Sequence, residues 1–181
     1  MNVKIDSYNT LDLSQYQLEG ISHSAFSGRS DIESIILPPA LKKIGEYAFE
    51  KCISLKTLDF SQCQLEKIGK FSFSKCVFES MILPPTLKKI APFAFQDCSS
   101  LKVLDFSQCT QLEEIGIGAF FGCSNIESII FPPALKKIGE FAFDNCSSLK
   151  TLDFSQCTQL GEIDPNLFGD CDVRTIVLPP K

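Results

Sequence analysis

The chain has 181 residues, of which 44% are apolar and 22% are charged, proportions typical of a folded domain rather than a disordered chain. Its net charge of −5 disfavours nucleic acid as a partner, because phosphates require a basic face. No apolar run approaches the ~20 residues of a membrane helix, and the first six residues are too polar for a signal-peptide core. We therefore expect no membrane insertion in this chain, and we expect that any targeting or anchoring segment lies outside it or does not exist.

An internal repeat organises the sequence. The stretch that begins at Leu87 recurs nearly verbatim at Leu41 and Leu135, with shorter copies between, giving a period of roughly 23 residues. We predict that residues 1–17 are a partial first repeat that caps the N-terminal end, and that residues 18–181 are an array of seven copies. The copies start at residues 18, 41, 65, 87, 112, 135 and 160. The last copy stops mid-repeat, so we expect either a longer array or an open end that pairs with another copy.

Each copy carries one short strand. Leu55, Leu58 and Phe60 have the spacing Leu-x-x-Leu-x-Leu, whose alternation predicts a strand with one buried face. Such a strand cannot bury its apolar side alone, whereas stacked copies form a parallel sheet. The strands are predicted near residues 8–13, 32–37, 55–60, 78–83, 101–106, 126–131, 149–154 and 173–178. The return segment, such as residues 44–52, is too short for much helix. The predicted fold is an α/β repeat solenoid with a parallel sheet on its concave face and short turns or helical turns behind.

Phenylalanine and cysteine recur at fixed points of the return segment. The phenylalanines should form a stacked ladder in the core: Phe26, Phe49, Phe73, Phe95, Phe120, Phe143 and Phe168. Six of the nine cysteines follow such a phenylalanine by three residues, and three follow the strand of alternate copies. Neighbouring thiols in either ladder are badly placed for disulfides, and no Cys-x-x-Cys pair indicates zinc. We expect buried thiols that pack as small apolar residues, with no metal and no cofactor.

These residues carry a family resemblance. The pattern Ile-Gly-x-x-Ala-Phe-x-x-Cys-x-x-Leu-x-x-Leu-x-Leu-Pro over residues 18–181 resembles the BspA-like, or Treponema-type, leucine-rich repeats. The resemblance implies a curved leucine-rich-repeat solenoid of the kind found in surface proteins of bacteria and parasitic protists, often with a role in adhesion. It also implies a cell-surface or secreted location, with a cytoplasmic location as the alternative. The sequence departs from the pattern at Arg29, at Asn166-Leu167, and in the Ser-Gln-Cys ending of alternate copies.

The outward positions of the strands form the candidate binding surface. One column alternates acidic and basic residues from Glu33 to Lys150, which we interpret as a device that fixes the stacking register. A second column alternates aspartate with exposed aliphatic residues, which on a concave sheet form either a partner surface or ordinary solvated sheet. The candidate partner-binding residues are Ile36, Thr57, Asp59, Ile82, Val103, Asp105, Ile130 and Asp153.

Two further columns have a structural explanation. The aromatic column Tyr47, Phe71, Phe93 and Phe141 precedes the inward phenylalanines by two residues, and partial burial in the return segment is the favoured interpretation over a binding role. The lysine pairs of alternate copies, such as Lys42-Lys43, are interpreted as a solvated edge.

The sequence favours a non-catalytic protein-binding module that uses its concave sheet, and the resemblance implies a surface adhesion or host-interaction protein. Catalysis needs different groups that converge in one pocket, whereas a repeat supplies equivalent groups in rows, and His23 is the single histidine. The alternative is a scaffold protein that self-associates through its C-terminal end. We expect a protein partner and no nucleic acid.

Overall fold

The computed structural model describes residues 5–179, which form a parallel β-solenoid of about seven turns. Two rows of strands run along it. The front row has eight three-residue strands: β1 (Thr10–Asp12), β3 (Ser34–Ile36), β5 (Thr57–Asp59), β7 (Ser80–Ile82), β9 (Val103–Asp105), β11 (Ser128–Ile130), β13 (Thr151–Asp153) and β14 (Thr175–Val177). The side row has six two-residue strands: β2 (Gly20–Ile21), β4 (Lys43–Ile44), β6 (Lys67–Ile68), β8 (Lys89–Ile90), β10 (Glu114–Ile115) and β12 (Lys137–Ile138).

The front row confirms the eight predicted strands, each centred within its predicted range. The strands are shorter than predicted because the chain turns at once after the third residue. In alternate copies an aspartate at the end of the strand accepts a hydrogen bond from the backbone two residues later, as Asp59 does from Ser61. In the other copies a Pro-Pro pair follows one residue later, and proline has no N–H with which to extend the ladder.

Pairing along the front row is parallel and in register, so that equivalent residues of successive copies face each other. It is not one continuous ladder. The strands form three hydrogen-bonded groups, β1-β3, β5-β7 and β9-β11-β13-β14. Across the two junctions the neighbouring turns remain joined by bonds from Lys56 N–H to Glu33 O, 3.1 Å, and from Lys102 N–H to Glu79 O, 3.2 Å.

The prediction of helical turns behind the sheet is wrong, and the predicted α/β class is corrected to an all-β solenoid. No residue between 5 and 179 is helical. The side row, which was not predicted from the sequence, forms one six-stranded parallel sheet that occupies part of the return segment in the first six copies.

Backbone hydrogen bonds explain the absence of helix in the return segment. The N–H groups of Tyr47 and Phe49 bond to carbonyls of the next turn, while the intervening Ala48 N–H reaches only three residues back, to Gly45 O. Tyr47 and Lys51 also adopt positive φ, 56° and 58°, which a right-handed helix excludes. The same alternation recurs in later copies, so each turn bonds to its neighbour instead of to itself.

The core lies between the rows and the return segments. Each turn contributes an inward residue from the front strand, one from the side strand and one phenylalanine, such as Leu58, Ile68 and Phe73, all buried. The predicted phenylalanine ladder is confirmed. Successive rings from Phe26 to Phe143 stack nearly parallel with centroids 5.0–5.5 Å apart, and Phe168 packs against the core half-buried. At Asn166-Leu167, Leu167 occupies the place that Ala142 holds one turn earlier and is buried.

Candidate partner-binding surface

The front row gathers the predicted binding residues on one outward face. The register places Asp59 opposite Ile82, and Ile130 between Asp105 and Asp153. The aliphatic members are exposed as predicted, with exposed fractions of 46% for Ile36, 54% for Ile82, 56% for Val103 and 42% for Ile130. Thr57, Asp59 and Asp105 are exposed, and Asp153 is half-buried.

The centre of this face is concave on the scale of a side chain. A cavity of about 370 Å³ lies beside β7 and β9, and Ile82, Asp105 and Pro84 are among its lining residues. Two of the predicted residues, one apolar and one anionic, therefore line the same depression. It can receive a group of a partner, as can another depression along the front row, of about 450 Å³, which is lined in part by Thr57 and Ser80.

The aspartates of the column also have a structural role that the sequence analysis missed. In each case Oδ1 accepts the backbone N–H of the serine two residues later, at 2.7–2.9 Å: Asp12 from Ser14, Asp59 from Ser61, Asp105 from Ser107 and Asp153 from Ser155. Hydrogen bonds from the Ser14 hydroxyl and then the Ser14 N–H lower the pKa of the Asp12 carboxyl, and the Ser155 N–H and hydroxyl lower that of Asp153. The recurring Asp-x-Ser spacing was the available signal, since it is typical of an Asx turn.

The charged column forms ion pairs between neighbouring front-row turns at two places. Lys56 pairs with Glu33 on the preceding turn, and Lys102 Nζ lies 2.7 Å from the Glu79 carboxylate. Hydrogen bonds from these lysines lower the pKa values of Glu33 and Glu79. Arg174 differs, because it pairs with Asp172 within its own turn at 2.6 Å.

The cysteines are confirmed as buried thiols, except that Cys171 is half-buried. Each member of the larger ladder donates its S–H to the carbonyl of the phenylalanine one turn earlier, at 2.9–3.3 Å: Cys52 to Phe26, Cys76 to Phe49, Cys98 to Phe73, Cys123 to Phe95, Cys146 to Phe120 and Cys171 to Phe143. Burial raises the pKa of Cys52 to about 11 and that of Cys109 to about 12. These thiols are therefore uncharged at neutral pH, unlike reactive cysteines.

Arg29 departs from the cysteine column for a local reason. No described phenylalanine precedes Phe26 in the ladder, so a thiol at position 29 would have no such carbonyl to bind. Arg29 instead forms a bidentate pair with Asp31, with nitrogen–oxygen distances of 2.7 and 2.8 Å.

The aromatic column is half-buried, which agrees with its structural interpretation. Tyr47, Phe71 and Phe93 stack on one another with centroids 5.1 Å apart. Phe141 is separated from Phe93 by Gly118 in the column and is 41% exposed. His23 is exposed and packs edge-on against Tyr47 at 5.6 Å. The rings therefore contact each other more than they contact solvent.

A second and larger groove lies over the side row and was not predicted. Its volume is about 620 Å³, and lysines of successive turns line it. In the sequence these lysines stand out as neighbouring pairs such as Lys42-Lys43. Their alignment from one turn to the next becomes visible only in the structure.

Two kinds of feature are absent from residues 5–179. No cluster of three or more histidine, cysteine or acidic side chains there could hold a metal ion. The same residues include no helix with the length and apolar character needed to cross a bilayer.

Comparison with known families agrees with this architecture. The family described as the BspA type leucine-rich repeat region matches six copies, over residues 19–111 and 66–181. The chain belongs to this family. The BspA-type repeat accounts for the regular placement of the core leucine, phenylalanine and cysteine residues in both rows and the return segments. No curated protein sequence matches the chain.

Solved structures show the same fold at low sequence identity. A leucine-rich repeat protein of T. pallidum, TpLRR, is 23% identical with a TM-score of 0.53 over 92% of this chain and 72% of its own. A leucine-rich repeat protein of Bacteroides ovatus is 20% identical with a TM-score of 0.50, over 89% of this chain and 64% of its own. The pneumococcal vaccine antigen PcpA is 20% identical with a TM-score of 0.53, over 94% of this chain and 44% of its own. The chain thus spans less than two thirds of the last two proteins.

Proposed function

We propose that this BspA-type chain is a non-catalytic protein-binding module that acts in surface adhesion or host interaction through the front row. The observation that carries the proposal is the outward face on which Ile36, Ile82 and Ile130 are each more than 40% exposed at a regular spacing. Exposed aliphatic residues that recur within one surface are typical of partner sites.

The depression at Ile82 and Asp105 is the proposed centre of the site. Interface energy concentrates where a partner side chain enters a desolvated pocket, and the surrounding contacts exclude water. A separate depression at the start of β5 and β7 is lined by the small side chains of Thr57 and Ser80, which leave room for the partner backbone. Lysine–glutamate pairs such as Lys102–Glu79 form a polar rim.

A surface location is supported by relatives rather than by this chain. A protein from Faecalibacterium prausnitzii that shares the fold, with 16% identity and a TM-score of 0.52, is described as a leucine rich cell surface protein, and PcpA is described as a vaccine antigen. We propose the same compartment for the protein that contains this chain.

The test replaces the exposed aliphatic residues of the front row. Ile82→Ser/Ile130→Ser should reduce binding to a panel of immobilised extracellular matrix proteins by about tenfold or more, since each side chain lost from an interface centre typically costs more than about 1 kcal/mol. The matched control is Ile53→Ser/Ile117→Ser, which removes isoleucines of similar exposure, 57% and 46%, from outside the front row. Equal binding by both double variants, with both folded, would reject the front row as the site.

A second candidate function is self-association through the C-terminal edge. Along β14 and just beyond it, Ile176, Val177 and Leu178 are 44%, 39% and 61% exposed. An exposed apolar edge strand is a template for pairing with another chain. Light scattering over a range of protein concentrations tests this candidate, which predicts a mass that rises with concentration and falls back in Val177→Lys. A constant monomeric mass would reject it.

A further inference from the structure

The groove over the side row has a floor of backbone. It crosses β2, β4, β6 and β8 and extends to Pro92. Gly45 and Gly69 occupy the close approach between turns, where an added Cβ would lie 2.6 Å from Ile21 O and from Ile44 O, respectively. Without side chains at these two points, the floor is smooth and the lysines stand along it.

Three lysines on successive strands face the same side of this groove. The register places Lys43, Lys67 and Lys89 directly opposite one another on β4, β6 and β8, and Lys70 also lines the groove. Like charges opposite each other on paired strands are destabilising. This run of lysines therefore costs stability unless an anion offsets it.

The adjacent column shows that alternation is the pattern elsewhere on this side of the molecule. It reads Glu19, Lys42, Glu66, Lys88, Glu113 and Lys136 down the stack. Its members pair across turns, with nitrogen–oxygen distances of 3.0 Å for Lys42–Glu19, 3.1 Å for Lys88–Glu66 and 2.8 Å for Lys136–Glu113. The next residue of each turn forms the column that contains Lys43, Lys67 and Lys89. This column does not alternate in charge where it crosses the groove.

Most of the groove lysines have no internal counter-ion. Lys89 Nζ lies 2.6 Å from the Glu114 carboxylate. Within residues 5–179, however, no carboxylate lies within 4.0 Å of the Nζ atoms of Lys43, Lys67 or Lys70. Lys70 Nζ instead stands 5.3 Å from the centroid of the Phe71 ring. Three exposed cations thus line the groove without a carboxylate of residues 5–179 within 4.0 Å.

From this juxtaposition we infer that the side-row groove binds a short acidic segment of another protein. The run from Lys43 to Lys89 spans two strand spacings, about 10 Å, and alternate side chains of an extended peptide recur at about 7 Å. Two carboxylates on one side of such a peptide therefore fall within the run and can each reach a lysine. The inference concerns a different surface from the front row and does not depend on the function proposed for it.

A longer polyanion fits this groove less well. The basic run ends at Glu114 on β10, and Glu46 stands at the groove, so a uniformly charged polymer would meet carboxylates beyond the third lysine. The faces of Tyr47, Phe71 and Phe93 stack on one another, which leaves them unavailable for stacking with nucleic-acid bases.

The test uses a fluorescein-labelled peptide of alternating glutamate and glycine, with the glutamine peptide as its neutral control. Fluorescence anisotropy at low salt should show binding of the glutamate peptide only, with an affinity that falls as salt is added. Lys43→Gln/Lys67→Gln should weaken this binding by roughly tenfold or more. Lys56→Gln/Lys102→Gln makes the same change of net charge on the front row and should leave the affinity unchanged.

Three outcomes would overturn the inference. One is an equal loss in both double variants, which would assign the binding to net charge alone. Another is tighter binding of heparin or an oligodeoxythymidylate than of the peptide, with the same dependence on Lys43 and Lys67. The third concerns stability: Lys67→Gln should raise the urea midpoint by relieving repulsion between like charges, and a lowered midpoint would mean that the lysine serves the fold.

Discussion

Ser72 stands in a column of small side chains that face the core of the solenoid. The equivalent residues of neighbouring turns are Ala48 and Ala94, and all three are fully buried. Within the described chain the Ser72 Oγ is buried without a hydrogen-bond partner. A buried polar group in that position costs about 1–3 kcal/mol.

Ser72→Ala should therefore stabilise the protein by about 1 kcal/mol or more. The measurement is the urea midpoint of unfolding, followed by circular dichroism. The control is Ser61→Ala, at an exposed serine, which should leave the midpoint nearly unchanged. A lower midpoint for Ser72→Ala would mean that the hydroxyl has a partner and contributes to the stacking of turns.

The thiols give a second prediction at the same scale. Eight cysteines are buried, and Cys171 is half-buried near the C-terminal edge. In native protein at pH 8, a thiol reagent such as Ellman's should label Cys171 first and the others only on unfolding, because modification requires an accessible thiolate. Peptide mass mapping identifies the labelled residue. Early labelling of Cys98 would contradict the buried ladder.

At the scale of elements, the return segment is defined by residues with positive φ. Lys75 adopts φ of 61° and is exposed, so its side chain makes no core contact that would complicate a substitution. Non-glycine residues in this region cost about 1–2 kcal/mol, and β-branched residues are the least tolerated.

Lys75→Gly should therefore raise the urea midpoint slightly. Glycine removes the backbone strain of the folded state, and this gain exceeds the ~0.4–1 kcal/mol by which glycine's greater flexibility favours the unfolded chain. Lys75→Val should lower it. Lys56, on the front row outside any such turn, provides the control, and Lys56→Gly should be destabilising. A stabilising Lys75→Val would contradict the positive φ.

The front row could be predicted from sequence, and the side row could not. Leu58 and Phe60 alternate with outward residues, and this alternation is the signal of a strand with one buried face. The side strands, such as Lys43–Ile44, have two residues, too few for any alternation to appear. Their pairing partners lie a full turn away in sequence, and the residues that prevent helix formation include Tyr47, whose positive φ is not typical of its residue type.

The candidate site was predictable in its exposed residues but not in its depressions. The repeat placed Ile82 and Ile130 outward because their inward neighbours are core residues, and the structure agrees. The depression at Ile82 and Asp105 depends on how Pro84 and Gln108 pack beside them, which no local pattern encodes. The lysine groove required comparison of residues down the stack rather than along the chain.

At the scale of the whole molecule, the buried thiols link stability to alkaline pH. The pKa is raised by burial to about 11 for Cys52, Cys63 and Cys157, and to about 12 for Cys109, from an ordinary value of 9.0. Above pH 9 the thiols of the unfolded chain lose protons while the folded chain retains them. Stability that is present below pH 9 is therefore lost as the pH rises toward 11.

The urea midpoint should accordingly fall between pH 8.5 and 10.5, and it should fall less in Cys109→Ala than in the parent protein. The difference between the two pH dependences of the urea midpoint isolates the Cys109 thiol, since both proteins share every other titratable group. Identical slopes would contradict the burial of Cys109.

The proposed binding of a protein partner to the front row of the solenoid can be tested on the complex itself. Hydrogen exchange of the complex with a matrix protein selected from the binding panel tests this most directly. We expect slower exchange on binding for amides in β7, β9 and β11, around Ile82 and Asp105, and unchanged exchange for β4 and β6 of the side row. Slower exchange confined to the side row or the return segments would contradict it.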